Sequence, residues 1–264
     1  MEITSSQNPK IKQLLALQQK SAERKRLGLF VVEGQRELMH CLASGYEVEQ
    51  VFVSSGHRLS PSLQAWVEEA EELVTTVSPA LYERIAYRGG TEGIIAVIRS
   101  HQRTLADIPL SANPLIAVLE GVEKPGNLGA ILRSADAAGA DAVIVCDPLT
   151  DLYNPNLIRS SIGAIFTVPC VTCTSAECID FLKARCIQIL TAQLQDSRPY
   201  YDTDMRRPTA IVMGTEATGL TDQWREVADA HILIPMLGQL DSLNVSVSTA
   251  ILLYEAVRQR GGGR

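Results

Sequence analysis

The segment LIAVLEGV, residues 115–122, constrains the fold more than any other stretch of this chain. A near-continuous apolar run of this length reads as a strand buried on both faces, the mark of a parallel sheet covered by helices. Beyond residue 122, helices and strands alternate regularly. A helix is expected over 128–138, ended by Gly139, then a strand over 142–146, a helix over 156–162 and a strand over 165–170. A helix over 176–184 and strands over 187–192, 210–213 and 232–235 complete a six-strand reading. Right-handed crossovers make this an open α/β sheet, with ligands expected at the carboxyl ends of its strands.

The first half alternates too, with strands over 29–32, 48–53, 71–77 and 94–99 and helices over 34–43, 61–70 and 79–87. It reads as a separate small α/β unit of ordinary domain size. Residues 100–114, with two prolines and few apolar anchors, form the expected linker. The domain boundaries are accordingly placed at 1–105 and 114–264.

Composition narrows the class. Of 264 residues, 46% are hydrophobic and 20% charged, values of a globular protein. No apolar run is long enough to span a bilayer, and the N-terminus MEITSSQNPKIKQ lacks the apolar core of a signal peptide. A cytoplasmic protein without a membrane segment is expected, its six cysteines reduced. Cys170, Cys173, Cys178 and Cys186 are loosely spaced and lie among apolar residues with no nearby histidine. They read as buried small hydrophobes, and no metal is expected.

The net charge is −6, yet residues 5–26 run the other way. Lys10, Lys12, Lys20, Arg24, Lys25 and Arg26 face a single acid, Glu23: six positive charges against one negative, a local net of +5. With Leu14, Leu15 and Leu17 they suggest an amphipathic helix after Pro9, with a basic surface suited to a polyanion. A plain solvated charged face is the alternative.

Three segments at strand ends in the second half carry the chemistry. In EGVEKPGNLGAILRSADAAG (120–139), Pro125, Gly126, Asn127 and Gly129 read as a tight turn before a helix, with Arg133 one turn inside. Glycines there permit close approach of a ligand, often an anion. In IVMGTEATGL (211–220), Gly214, Glu216 and Gly219 describe a loop with room for a flat ligand, and Glu216 in its apolar setting needs a partner. The third, 234–260, opens as a strand over 231–236, breaks at Gly238 and is expected to enter a helix near Ser242, with Asp241 and Ser242 as caps. Its polar run DSLNVSVS sits between apolar segments and is costly to bury without a ligand or partner.

In this order, the three segments resemble the SpoU (TrmH-type) family of RNA ribose 2′-O-methyltransferases of the SPOUT class. The family's Asn-x-Gly-x-x-x-Arg core is matched by Asn127, Gly129 and Arg133. Its Gly-x-Glu-x-x-Gly-Leu core is matched by Gly214, Glu216, Gly219 and Leu220. Its Ile-Pro-Met and Ser-Leu-Asn-Val-Ser are matched by residues 234–236 and 242–246. The sequence departs from the family at 215–217, where relatives often carry Asn or Ser before the acid and Gly after it. The lysine-rich helix and residues 29–34 are similar, more loosely, to the ribosomal-protein-like substrate-binding domain of rRNA-modifying relatives.

The resemblance implies a knotted (trefoil) catalytic sheet preceded by a small α/β domain, S-adenosyl-L-methionine as methyl donor, RNA as substrate and a homodimer. By the family pattern, Arg133, Asn127, Glu216, Ser242 and Asn244 are catalytic, while Ala192, Gly214, Ile234, Met236 and Leu243 hold the cofactor. The family's arginine is usually drawn as assisting deprotonation of the ribose. A guanidinium stays protonated in proteins, so Arg133 is better suited to hold a phosphate and stabilise a developing oxyanion. The extra N-terminal domain favours 23S-type rRNA as substrate. The alternatives are a tRNA methyltransferase and a non-catalytic RNA-binding relative. A nucleotide-dependent oxidoreductase is disfavoured because the first βα turn lacks the dinucleotide fingerprint.

Overall fold

A computed structural model describes residues 2–87, 92–215 and 218–261. It divides into two compact units, Met1–Gln102 with Asp151–Thr167, and Arg103–Thr150 with Val168–Arg264.

The first unit begins with α1 (Pro9–Gln19), started by Pro9 and capped by the Asn8 side chain, which accepts from the Lys10 amide at 2.9 Å. Proline at the first helical position and Asn at the cap are the residues this terminus favours. Its Ile11, Leu14 and Leu17 are fully buried, a one-sided apolar stripe. After α2 (Ser21–Leu27), Gly28 takes the left-handed conformation that ends the helix, with φ 64°. There follow β1 (Leu29–Glu33), α3 (Gln35–Ala43), β2 (Val48–Ser54), α4 (Pro61–Glu69), β3 (Val74–Val77), α5 (Pro79–Ile85) and β4 (Ile94–Arg99). The sheet order is β1-β4-β2-β3, with β4 antiparallel to both neighbours.

The segment Asp151–Thr167 belongs to this unit, with two short helices, Pro155–Ser161 and Ala164–Thr167. Tyr153 stacks on Phe30 with centroids 4.2 Å apart, and Phe166 meets Tyr46 edge-on at 5.2 Å. The strand expected over 165–170 is therefore corrected. Ala164–Thr167 is a helical turn whose apolar side chains fill this core, and the strand starts only at Cys170. A short apolar run does not distinguish the two states by pattern.

Counting those helices as α7 and α8, the second unit contains β5 (Leu115–Glu120), α6 (Pro125–Ala138), β6 (Ala142–Cys146), β7 (Cys170–Cys173), α9 (Ser175–Ala184), β8 (Gln188–Ala192), β9 (Arg198–Pro199), β10 (Thr209–Met213), α10 (Asp222–Val227), β11 (Ala230–Leu233) and α11 (Val245–Gln259). All seven strands are parallel, in the order β7-β6-β5-β10-β8-β11-β9. The central strand β5 is buried at every residue, as its apolar run requires. The seventh strand, β9, has only two residues and leaves no pattern to read. Late in the chain, β10 inserts between β5 and β8, and α11 packs on α6. The carboxyl ends of β5, β8, β10 and β11 thus face one region.

Two local expectations change. Residues 125–129 are not a turn before a helix but its first turn, with Pro125 at the first helical position. The last helix starts at Val245, not near Ser242, because Asn244 is the cap: its Oδ1 accepts from the Ser246 amide at 3.0 Å and the Ser246 hydroxyl at 2.6 Å. Asp241 and Ser242 lie in the loop before it.

Candidate active site

The strand ends enclose a cavity of about 620 Å³. Its walls are the chain after β8 (Ala192–Gln195), the loop after β10 (Gly214, Thr215, Gly219 and Leu220), the chain leaving β11 (Ile234 and Met236) and the approach to α11 (Asp241–Val245). Met213, Ile232 and Leu252 form an apolar floor. The five residues expected to hold the methyl donor, Ala192, Gly214, Ile234, Met236 and Leu243, all line it. So do Ser242 and Asn244.

Local chemistry explains the shape of the loop after β10. Thr215 and Gly219 form a two-way bridge, Thr215 N donating to Gly219 O at 3.2 Å and Gly219 N to Thr215 O at 3.1 Å. Thr218 N donates to the Thr215 hydroxyl at 3.0 Å, and Gly219 sits at φ 68°, where a side chain would strain the backbone. A Cβ at Gly214 would overlap the Gly219 backbone. Gly214 is therefore required by the close approach of the loop to itself, and Gly219 by its left-handed backbone. Glu216 lies outside the described residues.

The far end of the same loop is held by a residue that the sequence motifs do not include. Glu120, at the end of β5, is only 5% exposed. Its carboxylate accepts from Thr221 N at 2.8 Å and Thr221 Oγ1 at 2.7 Å, with Ser175 Oγ at 3.2 Å. Ser175 Oγ in turn donates to Asp147 at 2.6 Å and accepts from Trp224 Nε1 at 3.1 Å. A serine hydroxyl has one proton, so the shorter Asp147 contact takes it, and Thr221 supplies Glu120's two strong donors. The sequence does carry a signal for Glu120: an acid ending an otherwise apolar strand must find donors.

The first and third motifs meet directly. Asn244 Nδ2 donates to Asn127 Oδ1 at 3.2 Å, tying the cap of α11 to the first turn of α6. Arg133 is exposed on α6 and is not on the cavity wall. Ser242 is exposed, its hydroxyl donating to Asp241 at 3.2 Å. The structure thus ties Asn127 to Asn244 and puts Asn244 and Ser242 on the cavity wall, which neither Asn127 nor Arg133 lines.

The basic residues of the first unit separate into two kinds. Lys10, Lys12, Lys20, Lys25 and Arg26 are exposed. Arg24 is not, and is corrected: it is 5% exposed, its Nε 2.7 Å from Asp151 and its Nη1 donating to the Leu17 carbonyl at 2.6 Å. It joins α2 to the returning segment and presents nothing to a phosphate. Of the cysteines expected to be buried, Cys170 and Cys178 are, but Cys173 is only half-buried and Cys186 is exposed, and the sulfurs of Cys146, Cys173 and Cys178 come together.

Among the described residues no helix is long and apolar enough to cross a membrane. Comparison with known proteins agrees with the geometry. The SpoU rRNA methylase family matches residues 114–254, and the MRM3-like substrate binding domain matches residues 8–96. The 23S rRNA (uridine(2479)-2′-O)-methyltransferase of Streptomyces viridochromogenes is 32% identical over 271 residues, covering 98% of this chain and 93% of the relative. A crystal structure of an RNA 2′-O ribose methyltransferase superposes with a TM-score of 0.85 at 42% identity, covering 98% of this chain and 99% of that one. The SpoU methyltransferase AviRb from S. viridochromogenes, in complex with AdoMet, superposes with a TM-score of 0.88 at 30% identity, covering 97% and 100%. The second unit has the SPOUT architecture of these enzymes. The chain belongs to the SpoU rRNA methylase family and is an S-adenosylmethionine-dependent RNA ribose 2′-O-methyltransferase of the rRNA type.

Proposed function

We propose that this enzyme methylates a ribose 2′-hydroxyl in 23S-type rRNA, with the methyl donor in the 620 Å³ cavity and the ribose presented between Asn127, Ser242 and Asn244. The observation that carries this reading is convergence: all five expected cofactor residues line one cavity, with Ser242 and Asn244 at its edge. The cavity also fits a ligand of mixed polarity. Gln193 Oε1 and Arg225 Nε, on its wall, are buried without a hydrogen-bond partner among the described residues. Buried polar atoms of that kind call for one.

When bound, the sulfonium donor supplies an electrophilic methyl group. The chain's own residues then have three tasks. The glycine loop and the strand ends hold the donor rigidly, since orientation contributes much of the rate in a transfer of this type. Asn127 and Asn244, fixed to one another, offer amide groups to the ribose. Arg133, with Glu216 as an orienting partner, contacts the neighbouring phosphate and stabilises charge developing on the 2′-oxygen. Because a guanidinium keeps its proton, the hydroxyl proton passes to solvent or substrate and not to Arg133.

Lys10, Lys12, Lys20, Lys25 and Arg26 give the first unit a surface for the rRNA backbone. A homodimer is supported by exposed apolar side chains beside the cavity. Leu237 is 98% and Leu240 75% exposed, and Val247 and Tyr254, seven residues apart on α11, show a common apolar face. An rRNA substrate implies a cytoplasmic site of action.

The residue roles are tested by separating cofactor binding from turnover. Arg133→Ala is expected to leave the donor's Kd unchanged while lowering kcat on rRNA by roughly 100-fold or more, the scale of losing one preorganised charge-stabilising group. Equal loss of both would reassign Arg133 to the cofactor pocket.

A further inference from the structure

We propose that Cys146, Cys173 and Cys178 form a binding site for a single zinc-class divalent cation, separate from the methyl-donor cavity. Their three sulfurs lie within 4.8 Å of one another. Around a tetrahedral zinc with bonds of about 2.3 Å, ligand sulfurs are about 3.8 Å apart, so closing the site needs shifts of an ångström or less. The three residues come from three elements. Cys146 ends β6, Cys173 ends β7 as its direct register partner, and Cys178 lies in the first turns of α9 above them. Paired register puts the first two side chains on one face of the sheet, and the helix brings the third onto that face.

The surroundings suit thiolates. The site lies at the carboxyl ends of parallel strands, where open α/β sheets bind ligands. It also lies beside the N-terminus of a ten-residue helix, whose partial positive charge lowers the cost of sulfur anions. Cys146 and Cys178 are fully buried, and Cys173 is the half-buried member. That arrangement gives three protein ligands and leaves the fourth position for water on the Cys173 side, the open type of zinc site. A trithiolate zinc carries one net negative charge, whereas a monovalent cation would leave two beside Asp147 and Glu177. Divalent zinc is therefore the better match. None of the three cysteines lines the methyl-donor cavity. A cation here would clamp β6, β7 and α9 together.

The test uses the reduced, chelator-treated full chain under anaerobic conditions, titrated with Co²⁺ and then Zn²⁺. One equivalent of Co²⁺ is expected to give thiolate-to-cobalt charge-transfer absorption, displaced by one equivalent of Zn²⁺, with affinity rising with pH as thiol protons are released. Cys173→Ser, at the half-exposed position, should weaken Zn²⁺ binding by about 100-fold or more, since a direct ligand contributes at least what an outer supporting group does. Cys178→Ser should do likewise, with folding checked by circular dichroism, and Cys170→Ser and Cys186→Ser should bind as the parent does. Absence of the charge-transfer band in the parent, or parent-level Co²⁺ and Zn²⁺ affinity in Cys173→Ser, would overturn the proposal.

Discussion

Replacing Glu120 tests whether the glycine loop of the proposed cofactor cavity is held from below. Two donors of Thr221 reach its carboxylate at 2.7 and 2.8 Å, and the group is 5% exposed. Hydrogen bonds to a charged acceptor contribute about 1.5–3 kcal/mol each, and a buried donor left without a partner costs about 1–3 kcal/mol. Glu120→Ala removes both bonds, strands the Thr221 amide and opens a small void, so a loss of at least about 4 kcal/mol is expected. Glu120→Gln keeps the shape but turns an NH₂ toward one Thr221 donor. It should cost about 1.5–3 kcal/mol, roughly one charged hydrogen bond. Thr221 is also the cap residue of α10 and directly follows Leu220 on the cavity wall. The loosened loop should therefore bind S-adenosylmethionine about tenfold more weakly, a change of about 1.4 kcal/mol. Urea unfolding gives the first number and calorimetric titration of the cofactor the second. If Glu120→Gln leaves both the unfolding midpoint and the cofactor Kd at parent values, the anchoring role is wrong.

Other perturbations separate fold from function. Asn244→Ala removes the cap of α11 and the bond to Asn127; about 1 kcal/mol of stability should go with the cap, and kcat should fall further than that loss explains. Arg24→Met breaks the buried pair with Asp151 and should destabilise the first unit by about 3–5 kcal/mol in thermal unfolding. Lys12→Ala and Lys25→Ala should leave stability unchanged while weakening rRNA binding and lowering its salt slope by about 1 each. The Arg258 guanidinium beside Glu255 holds that carboxyl below its ordinary 4.5. A depressed carboxylate stabilises the fold above its unfolded pKa and loses that contribution as pH falls through the folded value. Below about pH 4.5, therefore, the parent should lose stability faster than Glu255→Gln, as denaturation at stepped pH would show.

Much of the site was legible because its residues are constrained locally. Gly214 and Gly219 are fixed by a loop that closes on itself, and Asn244 by the first turn of a helix, and both leave marks at short spacing. The apolar run of β5 likewise announced a sheet covered on both faces. What escaped depended on contacts distant in sequence. Arg24 reads as one more charge in a basic run, and only Asp151, 127 residues away, makes it a buried tie. Residues 165–167 read as a strand because a short apolar run fits either state; their helical turn is decided by the aromatic cluster of Phe30, Tyr46 and Phe166. The cysteine cluster leaves no mark in the spacing, because strand register, not proximity in sequence, joins Cys146 to Cys173.

The most direct measurement of the central claim is transfer of labelled methyl from S-adenosylmethionine to purified rRNA and to tRNA, with digestion to nucleosides afterwards. Label recovered as a 2′-O-methylnucleoside from rRNA and abolished by Arg133→Ala is the expected result. Label in tRNA alone, or on a base and not a ribose, would contradict it.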